Sequence, residues 1–443
     1  MTATAFAHEL GFADIPEHVV AFGRRCTLDL LGVFSAGIHT DLSRIIRDHA
    51  VRHFGAGTGP EATVLFDGRR CGPAGAALAG GMTIDALDAH DGHKITKGHA
   101  GCHVLPATLA LAEAEDGLGA DSDREFLASL IMGYEVATRA GVALHATAPD
   151  YHTSGAWGAV AAAFLGARRL GLNTEQTRHA VGIAEYHGPR SQMMRVIDHP
   201  TMLKDGSGWG AMAGISAAYL AADGFTGAPA VTVEGPQVAE LWSDLGTNWR
   251  ILEQYFKPHP VCRWAQPAVE AALVLCREHG IAGVDVERIE VETFHEAARL
   301  ATVQPASTEE AQYSLPFPLA AAVSRGQLGA LEVSSDALVD PEIRRLANAV
   351  VIVENDAFND AFPGNRFARV SLHTRGGDSW TSEPTEPRGD PENHLKDEEI
   401  CRKFHALSNP SIGVNRATKL ETAVHMLGSG IGLKPLLEIL TVT

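Results

Sequence analysis

Nine acidic and basic side chains crowd the stretch Asp85 to Pro106 (DALDAHDGHKITKGHAGCHVLP): Asp85, Asp88, His90, Asp91, His93, Lys94, Lys97, His99 and His103. Glycines are interleaved among them and apolar, helix-like sequence lies on both sides, as expected of a loop that lines a cleft rather than one that is merely solvated. Imidazoles titrate near pH 6.5, so modest changes in surroundings can set one as a base and another as an acid. A neighbouring carboxylate such as Asp88 can orient or charge them. His90-x2-His93 and His99-x3-His103 could each place two imidazoles on one face, but no HExxH-type motif supplies the further ligands zinc needs, so no metal is expected. Neither GxxxxGK[ST] nor GxGxxG occurs in a βαβ setting, and no NAD, ATP or other cofactor is expected.

Three other places add polar groups. His152, in Tyr151-His152-Thr153-Ser154-Gly155, precedes an apolar helix, where peptide dipoles disfavour an imidazolium and favour bound anions. Lys204 lies ahead of a helix of small residues beginning near Trp209. The run Lys257-Pro258-His259-Pro260-Val261-Cys262-Arg263, with Gln266 just beyond, stands where the texture of the chain changes.

The elements that must position these groups are mostly helical. Spacing of apolar residues predicts a buried helix from Glu17 to Phe34 stopped at Gly37, then Ala-rich helices over 105–114, 123–143, 156–169, 174–186 and 208–222. Small side chains let helix axes approach closely, which accounts for a core with only 6% aromatic residues. Beyond residue 280, alternation in Val284 to Phe294, Val350 to Glu354 and Arg366 to Thr374 predicts strands, with helices at Pro316 to Ser324 and Pro341 to Asn348 between them. The expected architecture is a large all-helical domain (1–265), a smaller α+β lid domain (270–390) and C-terminal helices (395–443) that return to the large domain.

Composition narrows the classes of function. With 54 acidic against 36 basic residues and a formal charge of −18, the chain lacks the extended basic surface on which nucleic-acid or anionic-membrane binding depends. Six scattered cysteines without CxxC spacing indicate neither a disulfide scaffold nor a metal knuckle, and fit a reducing cytoplasm. The N-terminus lacks the basic and apolar regions of a signal peptide, and no uninterrupted apolar run approaches the roughly 18 residues of a membrane span.

Over nearly its whole length the sequence resembles the MmgE/PrpD family of 2-methylcitrate dehydratases, cis-aconitate decarboxylases and iminodisuccinate epimerases. The likeness rests on HAGCHVLPATLALAE (99–113), the His-x-Ser/Thr-Gly opening at 152–155, KDGSGWGAMAGISAA (204–218), KPHPVCRW (257–264) and AQYSLPFPLAAAV (311–323). The resemblance implies a homodimer of helical domains with α+β lids and a site between domains. It also implies that Asp88 matches the first acidic residue of the DFDDTH loop, His99 the histidine of HPGA, His152 and Lys204 the family's other active-site histidine and lysine, and Arg263 the arginine of the hinge motif. Gly92 stands in place of a threonine, Ala100 of a proline, Gln266 of a histidine and Phe317 of a tyrosine.

Dehydration, decarboxylation and epimerisation of polycarboxylates all build negative charge beside carboxylates that are already anionic, so the site must hold anions and stabilise an enediolate-like state. Arg263 suits bidentate pairing and Lys204 a compact charge. His93, His259, Lys257 and Gln266 are further candidates for binding a small anionic polycarboxylate, while His99, His152, Lys204 and Asp88 are candidates for catalysis. Missing hydroxyl and imidazole groups at 92, 317 and 266 favour an epimerase of the iminodisuccinate type, with a 2-methylcitrate-type dehydratase or a cis-aconitate-type decarboxylase as alternatives. A metal-dependent hydrolase and a non-catalytic binding protein are the readings from other classes.

Overall fold

The computed structural model of the chain describes residues 1–115 and 117–441. Helices dominate it and the sheets are small, a mostly α fold. Helices Pro73–Asp85, Gly155–Leu170 and Ser207–Ala222 stack at the centre of the helical part, with Gly101–Ala114 and Thr174–His187 against them. Their contacts are backbone to backbone. A Cβ placed on Gly81 would lie 2.6 Å from the Cα of Gly208, and one on Gly210 would lie 2.5 Å from the carbonyl oxygen of Gly155. Helix axes this close leave no room for larger residues, the physical reason for the Ala and Gly richness.

The predicted helices are present with shifted ends. The expected start at 105 moves to Gly101, because Pro106 sits inside helix Gly101–Ala114 and forgoes one backbone hydrogen bond instead of opening the helix. Helix Ser122–Thr147 is long and apolar enough to cross a membrane, yet 94% of its most apolar window is buried, so it is the core helix of the bundle.

The α+β part carries a four-stranded sheet. Strand Val286–Thr293 pairs in parallel with Val350–Glu354 and antiparallel with Ala368–Thr374, which pairs with Ser379–Thr381. Helices Pro316–Arg325 and Pro341–Asn348 form the crossover that a parallel pair requires. Val286, Ile289, Val291, Val370 and Leu372 turn inward and are buried, and helix Gln266–His279 packs against strand Ala368–Thr374. That strand begins two residues later than the alternation predicts, since Arg366 leaves the sheet to point into a cavity. Helix Asp397–Ile412 packs on Glu17–Gly37, where Lys403 Nζ donates to Asp29 Oδ1 at 2.6 Å and to the carbonyl of Ala89 at 2.5 Å.

Candidate active site

The loop between helices Pro73–Asp85 and Gly101–Ala114 is buried over most of its length: Asp88, His90, Asp91, His93 and His99 are all inside. Polar groups taken from water this way need partners, and two distant segments, 254–257 and the stretch around Gln312, supply them. Gly92 and His93 pair antiparallel with Tyr255 and Gln254. Lys257 Nζ donates to Asp88 in a wholly buried ion pair. The backbone N–H of Asp88 donates to Gln312 Oε1 at 2.8 Å.

These segments line a cavity of about 310 Å³ that is partly open to solvent. Four cationic side chains line it: Lys97, Lys257, Arg263 and Arg366. Asp88 is the only carboxylate among its lining residues; His99 and the rings of Tyr151, Tyr255 and Tyr313 also face it. Arg263 and Arg366 lie over the Tyr255 ring, 4.6 and 5.5 Å from its centroid. Arg263 also donates to Asp390 Oδ1 at 2.6 Å, which fixes its fork. Arg366, 1% exposed, donates from Nη2 to the carbonyl of Lys94 at 3.0 Å. Its Nε and Nη1 have no hydrogen-bond partner among the described residues, so a buried guanidinium keeps two donors for an anion.

Backbone conformation marks the same place. Lys97 and Lys204 both adopt φ near +50° (49° and 48°), a left-handed conformation that costs a non-glycine residue on the order of 1–2 kcal/mol. The surrounding contacts hold them there: Lys97 Nζ lies 4.6 Å from the centroid of the Tyr151 ring, while Lys204 Nζ donates to Gln312 Oε1 at 2.8 Å and lies 4.7 Å from the Tyr313 centroid.

Proton placement follows from the hydrogen bonds. His99 Nδ1 lies 2.5 Å from the carbonyl oxygen of Asp91 and donates its proton there, which leaves Nε2 as the lone-pair nitrogen, 3.8 Å from Asp205 Oδ2. The His99 backbone N–H donates to Ser154 Oγ at 3.0 Å, and that hydroxyl donates to Asp205 Oδ2 at 2.6 Å. Burial, reinforced by His90 and Lys257, holds the His99 imidazole well below its ordinary pKa, so it is neutral. Asp205 is pushed up to about 7 by burial and then by Asp85, which makes it a carboxyl able to hold a proton near neutral pH. Burial also pushes Asp88 upward, but Lys257, His90 and Lys204 together outweigh it and keep this carboxylate well below the usual range. The His90 ring packs edge-on against His99 with centroids 4.3 Å apart; burial and then Lys257 keep it neutral as well.

Asp88, His90 and His99 converge closely enough to hold a metal ion. Asp88 already carries the Lys257 ammonium, however, and His99 Nδ1 is engaged by a carbonyl. A cation there would displace one buried ammonium and face a second, Lys204, so the set is better suited to anions.

Of the residues singled out from sequence, Asp88, His99, Lys257 and Arg263 meet at the cavity. Lys204 stands behind it, reaching Gln312 and Tyr313. His152 does not join them. Its Nδ1 bonds the carbonyl of Asp150 at 2.8 Å, its N–H donates to His145 Nε2, and the cavity is lined by its neighbour Tyr151. The residue at the helix start that reaches the site is Ser154, through its hydroxyl. His93 pairs with Glu253 at 2.8 Å and His259 with Glu270 at 3.3 Å, both away from the cavity lining. Gln266 donates to the carbonyls of His259 and Val261, which makes it a brace for the hinge rather than a ligand. Sequence reasoning missed Arg366, Tyr255 and Tyr313, and passed over Lys97, Asp205 and Ser154. Arg366 stood at the edge of a strand-like alternation, and Tyr255 reaches the loop only through pairing 163 residues away in sequence, at Gly92.

Cationic side chains from the helical core and from the α+β part thus line the same cavity. Residues 2–244 match the MmgE/PrpD N-terminal domain and residues 259–428 the MmgE/PrpD C-terminal domain, and the chain belongs to the MmgE/PrpD family. It is 24% identical to the cis-aconitate decarboxylase-like protein oryM of Aspergillus oryzae, over 98% of this chain and 95% of that protein. It is likewise 24% identical to the cis-aconitate decarboxylase of Aspergillus terreus, over 98% of this chain and 94% of the relative.

Proposed function

We propose that the protein is a lyase acting on a small tricarboxylate with its own side chains, and that decarboxylation is the reaction. The observation that carries this is the set of four cationic side chains around one cavity beside a neutral imidazole. Arg366 offers its unpartnered Nε and Nη1 to a carboxylate, while Arg263, its Nη donors held by Gln266, Asp390 and the carbonyls of Pro387 and Arg388, and Lys97 and Lys257 supply positive charge, so charge left on carbon as CO2 departs stays close to cations. Anionic substrate offsets the cations that depress His99, and its imidazole then takes up a proton at Nε2. Asp205, 3.8 Å away, is the nearest carboxyl able to supply one. His99 next delivers that proton to the carbon that lost CO2, the C–C bond electrons becoming the new C–H bond. The relatives whose names state decarboxylation of cis-aconitate support the substrate class.

The case for an epimerase rested on groups absent at 92, 317 and 266. Two of those absences are compensated nearby: a Cβ on Gly92 would lie 2.6 Å from Tyr255 Oη, so that phenol occupies the space, and Tyr313 faces the cavity where Phe317 does not. A two-base epimerase would place a second proton-exchanging group opposite His99, and His152, the histidine expected there, is turned elsewhere. The test is turnover of cis-aconitate and a panel of other di- and tricarboxylates, following CO2 and alkene by NMR. Bond cleavage by wild type and none by His99→Gln supports the lyase; epimerisation without cleavage, or no turnover of any member, overturns it.

A further inference from the structure

On the face of helix Asp397–Ile412 turned from the active-site loop lies a second group of ligating side chains. Cys401 and His405 are four residues apart on that helix, and Glu421 and His425 are four apart on helix Val414–His425, which follows after a turn at Gly413. Residues at i and i+4 share a helix face, so the hairpin presents two pairs to one another. One ligand atom each from Cys401, Glu421 and His425 lies within 4.8 Å of the others. His405 Nε2 lies 2.9 Å from Glu421 Oε2, and His425 Nε2 lies 3.7 Å from Glu421 Oε1. The His405 ring is itself oriented, Nδ1 meeting Asn409 Oδ1 at 3.2 Å, so that Nε2 holds the Glu421 carboxylate from outside the group, as an outer hydrogen bond does for a metal-ligating carboxylate.

We propose that Cys401, Glu421 and His425 form a binding site for a zinc-class divalent cation, with His405 holding the Glu421 carboxylate beside it. One thiolate, one imidazole and one carboxylate make a three-ligand set of the kind zinc takes, with a fourth position on the solvent side. Access is from solvent, with the His425 side chain 57% exposed and Glu421 21% exposed. Binding releases the Cys401 thiol proton to solvent, and the metal joins two helices that only a turn connects. It braces the helix whose Lys403 supports Ala89 at the start of the active-site loop. The role is structural, separate from the cavity cluster of Asp88, His90 and His99.

The purified, metal-stripped full chain is titrated with Zn²⁺ against a chromophoric chelator and with Co²⁺ under absorbance, in wild type, Cys401→Ser, His425→Ala and His99→Gln. The expected result is one high-affinity site per chain, a thiolate-to-cobalt charge-transfer band and a Zn²⁺-dependent rise in Tm. All three persist in His99→Gln. The band is lost in Cys401→Ser, and affinity falls more than about tenfold in His425→Ala. No high-affinity binding, or binding unchanged in Cys401→Ser and His425→Ala, overturns the proposal. Exposed His425 gives a variant that folds even where serine at 401 disturbs packing.

Discussion

Arg366→Met removes the one buried guanidinium in the cavity that keeps two donors free. Its native contacts are a single hydrogen bond to the carbonyl of Lys94 and a ring contact with Tyr255. Asp390, which feels its charge, stays paired with Arg263 at 2.6 Å and Lys94 at 3.2 Å without it. Little stability is therefore lost, and the strain of two unpaired buried N–H groups is relieved. Substrate binding should fare differently. Charge-assisted bonds contribute about 1.5–3 kcal/mol each, so a bidentate carboxylate contact accounts for about 3–6 kcal/mol, or about 10²–10⁴ in kcat/KM at 1.36 kcal/mol per decade. Arg366→Lys keeps the charge but not the fork and should fall between the two. The assay is steady-state turnover of the active tricarboxylate alongside thermal melting. A kcat/KM within about threefold of wild type, or a large drop in Tm that explains lost activity by unfolding, refutes the assignment.

Three further outcomes follow from the same geometry. Asp205 has a folded-state pKa raised to about 7 against about 3.9 unfolded, so it costs no stability below about pH 4, destabilises increasingly between about pH 4 and 7, and does so by a constant amount above that. Relative to wild type, Asp205→Asn should accordingly gain about 1.5 kcal/mol at pH 5 and up to about 4 kcal/mol at pH 8 in denaturant unfolding; a gain that does not grow between the two pH values contradicts the raised pKa. Gly92→Ala places a Cβ 2.6 Å from both His99 Nδ1 and Tyr255 Oη, and denaturant unfolding should show a loss of about 1–3 kcal/mol that Tyr255→Leu partly restores. A fully stable Gly92→Ala would mean the two rings are not held as described. His152→Ala should keep at least about ten times the kcat of His99→Gln, measured at saturating substrate; similar losses in both would return His152 to the reaction.

Much of this site was legible from residue types because chemistry and local spacing coincide in one loop. Asp88 and His99 lie within twelve residues of each other, and the hinge motif named Lys257 and Arg263 outright. What could not be read was direction and long-range pairing. His152 was chosen because it precedes a helix, yet side chains at adjacent positions there diverge, and Tyr151 and Ser154 face the site while His152 turns to Asp150. Lys204 was expected at the substrate but is held at Gln312, a residue 108 positions away. Arg366 looked like the start of a strand, since alternation marks where a sheet is half-buried but not where the chain leaves it. The helices and strands themselves came through with ends shifted by a few residues, because periodicity reports faces more sharply than termini.

The excess of acidic residues at first argued against anionic partners in general, and the cavity shows why a total of −18 says little about a single site. Within a Debye length of about 8–10 Å, Lys97, Lys257, Arg263 and Arg366 decide the local potential around His99. Turnover in D2O followed by ¹³C and ¹H NMR tests that reading most directly. The account predicts a product one carboxylate shorter that carries a single deuterium at the carbon vacated by CO2, and neither product nor deuterium with His99→Gln. Deuterium entering a stereocentre while every C–C and C–O bond stays intact would contradict it.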